Sequence, residues 1–233
     1  MLFRALMSVC LLCLAISGYA NTQFRVIVDA SGSMVISDPD RLTSESLRLI
    51  ADLAPEQESS LGVWLFGEQP RVLLPEAPIS TSLKSSLKNN LGGYITEDLQ
   101  TDLESVLRLM LNTASTAGVA ENADQHWILV TDGMVDISLD QKVNDLSRKN
   151  ILNTILNELI AKGIHLHTVS MTGYTDAELL KTLSLKTNAS YTEVAVPEDL
   201  LGTFNRIFSV ANKADELPFE GNTFFVDDSI DEF

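Results

Sequence analysis

Cysteine is almost missing from this chain: Cys10 and Cys13 are the only two in 233 residues, and both lie in one apolar run near the start. That run does not belong to a folded domain. In MLFRALMSVCLLCLAISGYA the sole charge is Arg4, the apolar stretch runs from Ala5 to Ser17, and Gly18 and Ala20 supply small side chains at the −3 and −1 positions of a cleavage site. The stretch falls short of the roughly 20 residues that span a bilayer. Neither cysteine follows the small residue that a lipoprotein site would require. Residues 1–20 therefore read as a cleaved signal peptide rather than an uncleaved anchor, which directs the chain to a bacterial periplasm or cell envelope. Once they are removed, no thiol and no disulfide remain, and cysteine chemistry is excluded. A secreted domain of this kind must be held by its core alone, and at this size roughly 70% of the unfolded surface can be buried.

Positive charge is the second shortage. Sixteen Lys and Arg face thirty-two Asp and Glu, for a formal charge of −16 and a pI near 4.4. Removing residues 1–20 takes away one Arg and no acid, leaving −17. Such a surface repels nucleic acid and anionic lipid, so neither is an expected partner. With 45% hydrophobic and 21% charged residues the composition is that of a globular domain, which excludes disorder as the overall state. There is no internal repeat and no low-complexity tract.

From Phe24 onward, short β-branched or aromatic runs alternate with longer stretches of helical period, the pattern of a doubly wound α/β fold: a mostly parallel central sheet with helices on both faces. FRVIVDAS (24–31), LGVWLFG (61–67), HWILVTDG (126–133), IHLHTVSM (164–171) and ASYTEVAV (189–196) are near-continuous apolar runs, as expected of strands buried on both faces. RVLLP (71–75) reads as an edge strand. Leu42, Leu49, Ile50 and Leu53 form a helical stripe, and Asp38-Pro39 predicts that its helix starts there, with an N-cap and a proline in the first turn. Further stripes run through Leu103, Val106, Leu107 and Met110; through Leu152, Ile155, Leu156 and Leu159; through Leu179, Leu180 and Leu183; and from Pro197 to Asn212. A weaker patch, Leu83 to Leu91, precedes Gly92-Gly93. The domain is thus expected over residues 21–212, followed by an acidic linker or the start of a further region over 213–233.

The chemistry gathers at strand ends. The first strand runs into Asp29-Ala30-Ser31-Gly32-Ser33 and the HWILV strand into Thr131-Asp132-Gly133. In an open α/β sheet the ligand crevice lies outside the carboxyl ends of the strands, so these two loops converge there. Thr101, just ahead of the Leu103 helix, brings a hydroxyl from a third loop. A cluster of oxygen donors without sulfur or imidazole suits a hard divalent cation, Mg²⁺ first, with Mn²⁺ or Ca²⁺ behind it.

The combination D-x-S-x-S, then T, then T-D-G resembles the metal-ion-dependent adhesion site of von Willebrand factor A domains and integrin I domains, over most of residues 23–212. By that resemblance Ser31, Ser33 and Thr101 bind the metal directly. Asp29 and Asp132 hold it mainly through waters and hydrogen bonds. Neutral hydroxyls leave the cation undercompensated, so it accepts a carboxylate from a protein partner. Thr96 is the alternative to Thr101, which is favoured because T-D-L runs into a Leu-rich helix. A signal peptide, such a domain and the tail NTFFVDDSIDEF together resemble bacterial envelope proteins that continue into a further β-rich region and a membrane span, so an anchor beyond residue 233 is an expectation.

Cations are missing from these loops as well. Asp38, Asp40, Glu97, Asp98, Asp102, Glu104, Asp136 and Asp140 stand against Arg41 and Lys142, and no histidine lies in any of the loops. Phosphoryl transfer recruits Lys or Arg and acyl transfer needs a nucleophile beside a base, so an enzyme is not expected. The expected function is metal-dependent protein binding, with a partner whose carboxylate sits among basic residues. A regulatory or assembly module with a structural metal is the alternative, and a metal-assisted hydrolase comes third. Asp38, Asp40, Asp98 and Asp102 read as helix caps or solvated surface, and Asp136 as loop acidity. His165 and His167 read as buried strand histidines with no third ligand nearby, His126 has no evident partner, and Trp64 and Trp127 read as core.

Overall fold

A computed structural model of the chain describes residues 20–53, 56, 58–91, 97–113, 118–171, 175–213, 219–220 and 223–224. The leader through residue 19, Gly92-Gly93, Thr96 and most of the tail beyond Lys213 lie outside the described residues.

Eight strands and eight α-helices are described. They follow in the order β1 (Ala20–Asp29), α1 (Met34–Ser37), α2 (Leu42–Leu53), β2 (Ser59–Phe66), β3 (Arg71–Pro78), α3 (Thr81–Leu91), α4 (Leu103–Asn112) and β4 (Val119–Thr131). Then come α5 (Gln141–Asn150), a π-turn (Ile151–Ile155), α6 (Leu156–Ala161), β5 (His165–Met171), α7 (Ala177–Lys186), β6 (Tyr191–Val194), a 3₁₀ turn (Pro197–Asp199) and α8 (Leu200–Asn212). A two-stranded ribbon of β7 (Phe219–Glu220) and β8 (Thr223–Phe224) lies within the acidic tail.

The main sheet has the order β3-β2-β1-β4-β5-β6, parallel except for edge strand β3. The doubly wound fold is as expected. The strands bury both faces because successive side chains alternate sides. Val26, Val28, Ile128, Val130 and Val169 pack with α2, α3 and α8, while Ile27, Trp64, Phe66, Leu129 and Leu166 pack with α4, the π-turn, α6 and α7. Trp64 and Trp127 are core, as read, and flank a cation that the sequence did not signal. The Arg25 guanidinium lies 5.5 and 5.6 Å from their rings and binds the buried Glu76 carboxylate, which also accepts from Gln23 and Ser60.

Several boundaries differ from the expected ones, each for a local reason. Asp38-Pro39 does not open α2: a single turn, α1, comes first, and α2 begins at Leu42 with the Asp38 carboxylate accepting from Leu42 N and Thr43 N at 2.7 and 3.0 Å. Arg41 bridges the two in the left-handed region, φ 55°. The third stripe is led by Ile151 instead of Leu152, because the π-turn inserts an extra residue and rotates the helix face. β4 begins at Val119, seven residues early, and its first half is polar and largely exposed. β6 shrinks to four residues.

Along the chain, β1 leads to β2 and β3 on one side, then β4, β5 and β6 fill the other. The order reverses between β1 and β4. Their carboxyl ends, Asp29 and Thr131, therefore flank the crevice where such sheets receive ligands.

Candidate functional site

β1 delivers Asp29 fully buried at its last position, with Ser31 and Ser33 beyond it. One carboxylate oxygen of Asp29 accepts from Ser31 N at 2.8 Å, the other from Thr131 Oγ1 at 2.6 Å. β4 delivers Asp132, whose two oxygens accept from Ser33 Oγ at 2.8 Å and Ser37 Oγ at 2.5 Å. Ser31 Oγ and Ser33 Oγ stand 3.1 Å apart. Thr131 and Ser37 were not singled out in the sequence. Both were within reach of it: Thr131 opens the T-D-G motif, and Ser37 follows Ser33 by four residues, one helical turn.

The third loop is laced to the other two by backbone hydrogen bonds. Gly32 N donates to Asp98 O at 3.0 Å, and Asp98 N to Ala30 O at 3.4 Å. On the opposite side Thr101 N donates to Asp136 O at 2.8 Å, and Asp136 N to Thr101 O at 3.3 Å. Thr101 is thereby fixed between the two strand-end loops. A β-carbon built on Gly133 would lie 3.4 Å from Thr101 Oγ1 and 3.7 Å from an Asp29 oxygen, which places those atoms on one side of the same glycine. Gly67 makes the lacing possible from behind, since a β-carbon there would stand 2.1 Å from an Asp98 oxygen.

Ser31, Ser33, Thr101 and Asp132 line one cleft of about 760 Å³, with Asp29 buried beneath it. The five residues singled out in the sequence thus come together. The Asp29 carboxyl is pushed up to about 6, by burial first and by the neighbouring Asp132 charge in addition, against the hydrogen bonds from Thr131 and Ser31. No cationic side chain is among the groups that act on it.

The acidic rim is less bare than the count of loop residues implied. Asp38 and Asp102 cap helices, Asp102 accepting from Ser105 N at 3.0 Å. Asp98 caps nothing; it binds Arg71 at 2.7 Å. Arg148, on α5, reaches the cleft wall and is held by Asp176 at 2.5 Å and Glu178 at 3.1 Å. Arg71 and Arg148 therefore join the site from outside the three loops. Asp136 lines the cleft and accepts from Asn144 at 3.3 Å.

The histidines need a larger correction. His126 and His165 are directly paired across β4 and β5, and His126 Nδ1 is 3.1 Å from His167 Nε2, so a third imidazole does join the pair. Asp124 lies 3.5 Å from both His126 and His165, and Ser190 Oγ lies 2.8 Å from His167 Nδ1. This cluster lies at the middle of β4 and the start of β5, three to six residues short of the cleft, about 10–20 Å at some 3.3 Å per residue.

A model of the von Willebrand factor type A domain matches residues 25–206. The chain belongs to that family. Among solved structures this von Willebrand factor A (VWA) domain is similar to a von Willebrand factor type A protein from Catenulispora acidiphila, with TM-score 0.67 and 16% identity over 82% of this chain and 43% of that one. It is also similar to proximal thread matrix protein 1 from the mussel byssus, a structure described as having a zinc-occupied MIDAS motif, with TM-score 0.63 and 14% identity over 83% and 48%. An aerotolerance-related membrane protein from Bacteroides fragilis gives 0.58 and 13% over 81% and 99%. At these identities the likeness is one of fold. The chain spans less than half the length of the first two proteins. A search of curated proteins gave no match.

Proposed function

We propose that this VWA domain binds protein partners through a divalent cation held at the carboxyl ends of β1 and β4. One observation carries the reading: three loops, laced by backbone hydrogen bonds, bring Ser31, Ser33 and Thr101 together over two carboxylates. In this reading the three hydroxyls hold the ion, Mg²⁺ first and Mn²⁺ or Ca²⁺ behind it, while Asp29 and Asp132 back it through waters and hydrogen bonds. The zinc-occupied motif of the mussel protein supports a divalent ion in this fold. The ion supplies an electrophilic position that a partner carboxylate fills.

Turnover is not part of the proposal. Arg71 and Arg148 are committed to carboxylates, and the three histidines lie outside the cleft. The partner carries its carboxylate within basic surroundings, so association weakens with salt. The leader directs the domain out of the cytoplasm to the periplasm or envelope. No helix among the described residues is long and apolar enough to cross a membrane. Calorimetry with Mg²⁺ on the purified protein tests the reading. Saturable binding that EDTA reverses and Asp29→Ala abolishes is expected, and heats identical in the wild type and Asp29→Ala contradict it.

A further inference from the structure

Three imidazoles and a carboxylate meet on one face of the sheet away from the cleft, and the proposed function uses none of them. Residues two apart on a strand share a face, so Asp124 and His126 on β4 stand beside His165 and His167 on β5, with His126 and His165 directly paired. His126 Nε2 and His165 Nε2 each lie 3.5 Å from an oxygen of Asp124. That is longer than an N–H···O hydrogen bond. His126 Nε2 is buried with no hydrogen-bond partner, in a side chain only 9% exposed. A histidine that merely filled the core beside Phe24 would satisfy both its nitrogens.

The hydrogen bonds on the other side of each ring decide what those nitrogens offer. Thr187 O only accepts, so His165 Nδ1 carries the proton it donates there at 3.0 Å, and the neutral ring presents a lone pair at Nε2 toward Asp124. An imidazole lone pair and a carboxylate then face each other, and a cation between them turns repulsion into ligation. His126 joins through a relay. With its proton on Nδ1 it donates to His167 Nε2 at 3.1 Å, and His167 donates from Nδ1 to Ser190 Oγ at 2.8 Å. Without an ion the Ser190 N–H donates to His167 Nδ1 at 3.2 Å, the relay runs the other way, and a proton is left on His126 Nε2 with no acceptor. Burial lowers His126 and His167 below the ordinary imidazole value, which favours the neutral form that metal binding requires.

We propose that Asp124, His126 and His165 form a second metal site at the pairing of β4 with β5, for Zn²⁺ or a neighbouring transition ion rather than Mg²⁺. Two ligands of a tetrahedral ion at about 2.0–2.1 Å stand about 3.3 Å from each other, close to the 3.5 Å between each Nε2 and Asp124. Among the described residues no three such side chains already surround one point as the ligands of a bound ion do. Asp124 closes the site: it lies on the exposed lead-in of β4 with its side chain 51% exposed, so it turns onto an ion without disturbing the core. Thr187 O and His167 hold the far nitrogens of the two ligating rings, the support that fixes ring orientation at metal sites. Imidazole nitrogen selects Zn²⁺, Cu²⁺ or Ni²⁺ over the hard ions suited to hydroxyls. Three protein ligands leave the fourth position to water. The register of β5 on β4 begins at His126, so the ion ties the lead-in of β4 to a strand that does not otherwise reach it.

Calorimetry with ZnCl₂ in saturating MgCl₂ separates this site from the cleft. About one equivalent of Zn²⁺ that Mg²⁺ does not displace is expected, kept in Asp29→Ala and bound at least tenfold more weakly by His165→Ala and by Asp124→Ala. Asp124→Ala removes an exposed side chain, so loss of binding there is not loss of fold. Co²⁺ in the same site should give the visible absorption of four-coordinate ligation, lost in Asp124→Ala. Zn²⁺ affinity indifferent to both substitutions, or an equivalent lost only in Asp29→Ala, would overturn this site and leave the cleft reading standing. No Zn²⁺ bound in the presence of saturating Mg²⁺ would overturn it as well.

Discussion

Asp29 carries a conflict: a fully buried carboxylate with neutral hydrogen-bond donors and no cationic side chain acting on it. Its carboxyl is raised to about 6 by burial, so the folded state favours the protonated form. The sign follows from linkage. The stabilising contribution is complete below the unfolded pKa near 3.8 and is lost as pH rises through about 6, so at neutral pH without a cation the charge destabilises the fold. Asp29→Asn keeps the shape and removes the charge. In EDTA at pH 7 this variant should be more stable than the wild type by on the order of 1–3 kcal/mol, and Mg²⁺ should no longer raise its melting temperature. Mg²⁺ at 100 times its Kd should stabilise the wild type by about 2.7 kcal/mol. A lower Asn variant melting temperature in EDTA, with Mg²⁺ still protective, would show that the buried charge is not waiting for a cation.

Between elements, the informative contact is the pairing of β4 with β5, which stacks His126 on His165 and brings His167 to it. Burial lowers His126, and lowers His167 to about 3 with the other two imidazoles adding to the effect. Asp124 opposes the shift at His126, while Phe24 beside His126 and Ser190 beside His167 carry no charge. The folded state therefore favours the neutral form of His126 and His167. Their contribution is complete above the unfolded value near 6.5 and is lost as pH falls below it, by about 2 kcal/mol for His167 between pH 6.5 and 5. Urea midpoints in EDTA at pH 7 and pH 5 should fall further for the wild type than for His167→Gln, a comparison in which Asp29 cancels. Equal falls would contradict it. None of this was legible in the sequence, because 126 and 165 are neighbours only once the strand order is known. The apolar strand runs and leucine stripes were legible, since burial on both faces writes itself as composition. The π-turn and the delayed start of α2 were not, since one inserted residue and one left-handed Arg41 leave no periodic trace.

At the scale of the whole molecule, the strand order sets function. Because the sheet reverses between β1 and β4, two loops distant in sequence share one crevice, and the lacing through Asp98 and Asp136 draws in the third. Asp29, Ser31, Ser33 and Asp132 were readable beforehand because they follow apolar strands, and Thr101 because T-D-L runs into a Leu-rich helix. Arg148 on the cleft wall and Arg71 behind Asp98 are placed there by tertiary structure alone. Anomalous diffraction from crystals grown with MnCl₂ asks whether Ser31, Ser33 and Thr101 share one divalent ion. One strong manganese peak is expected about 2.0–2.4 Å from Ser31 Oγ, Ser33 Oγ and Thr101 Oγ1. A map with no peak in that cleft, or with manganese bound only by other side chains, would contradict it.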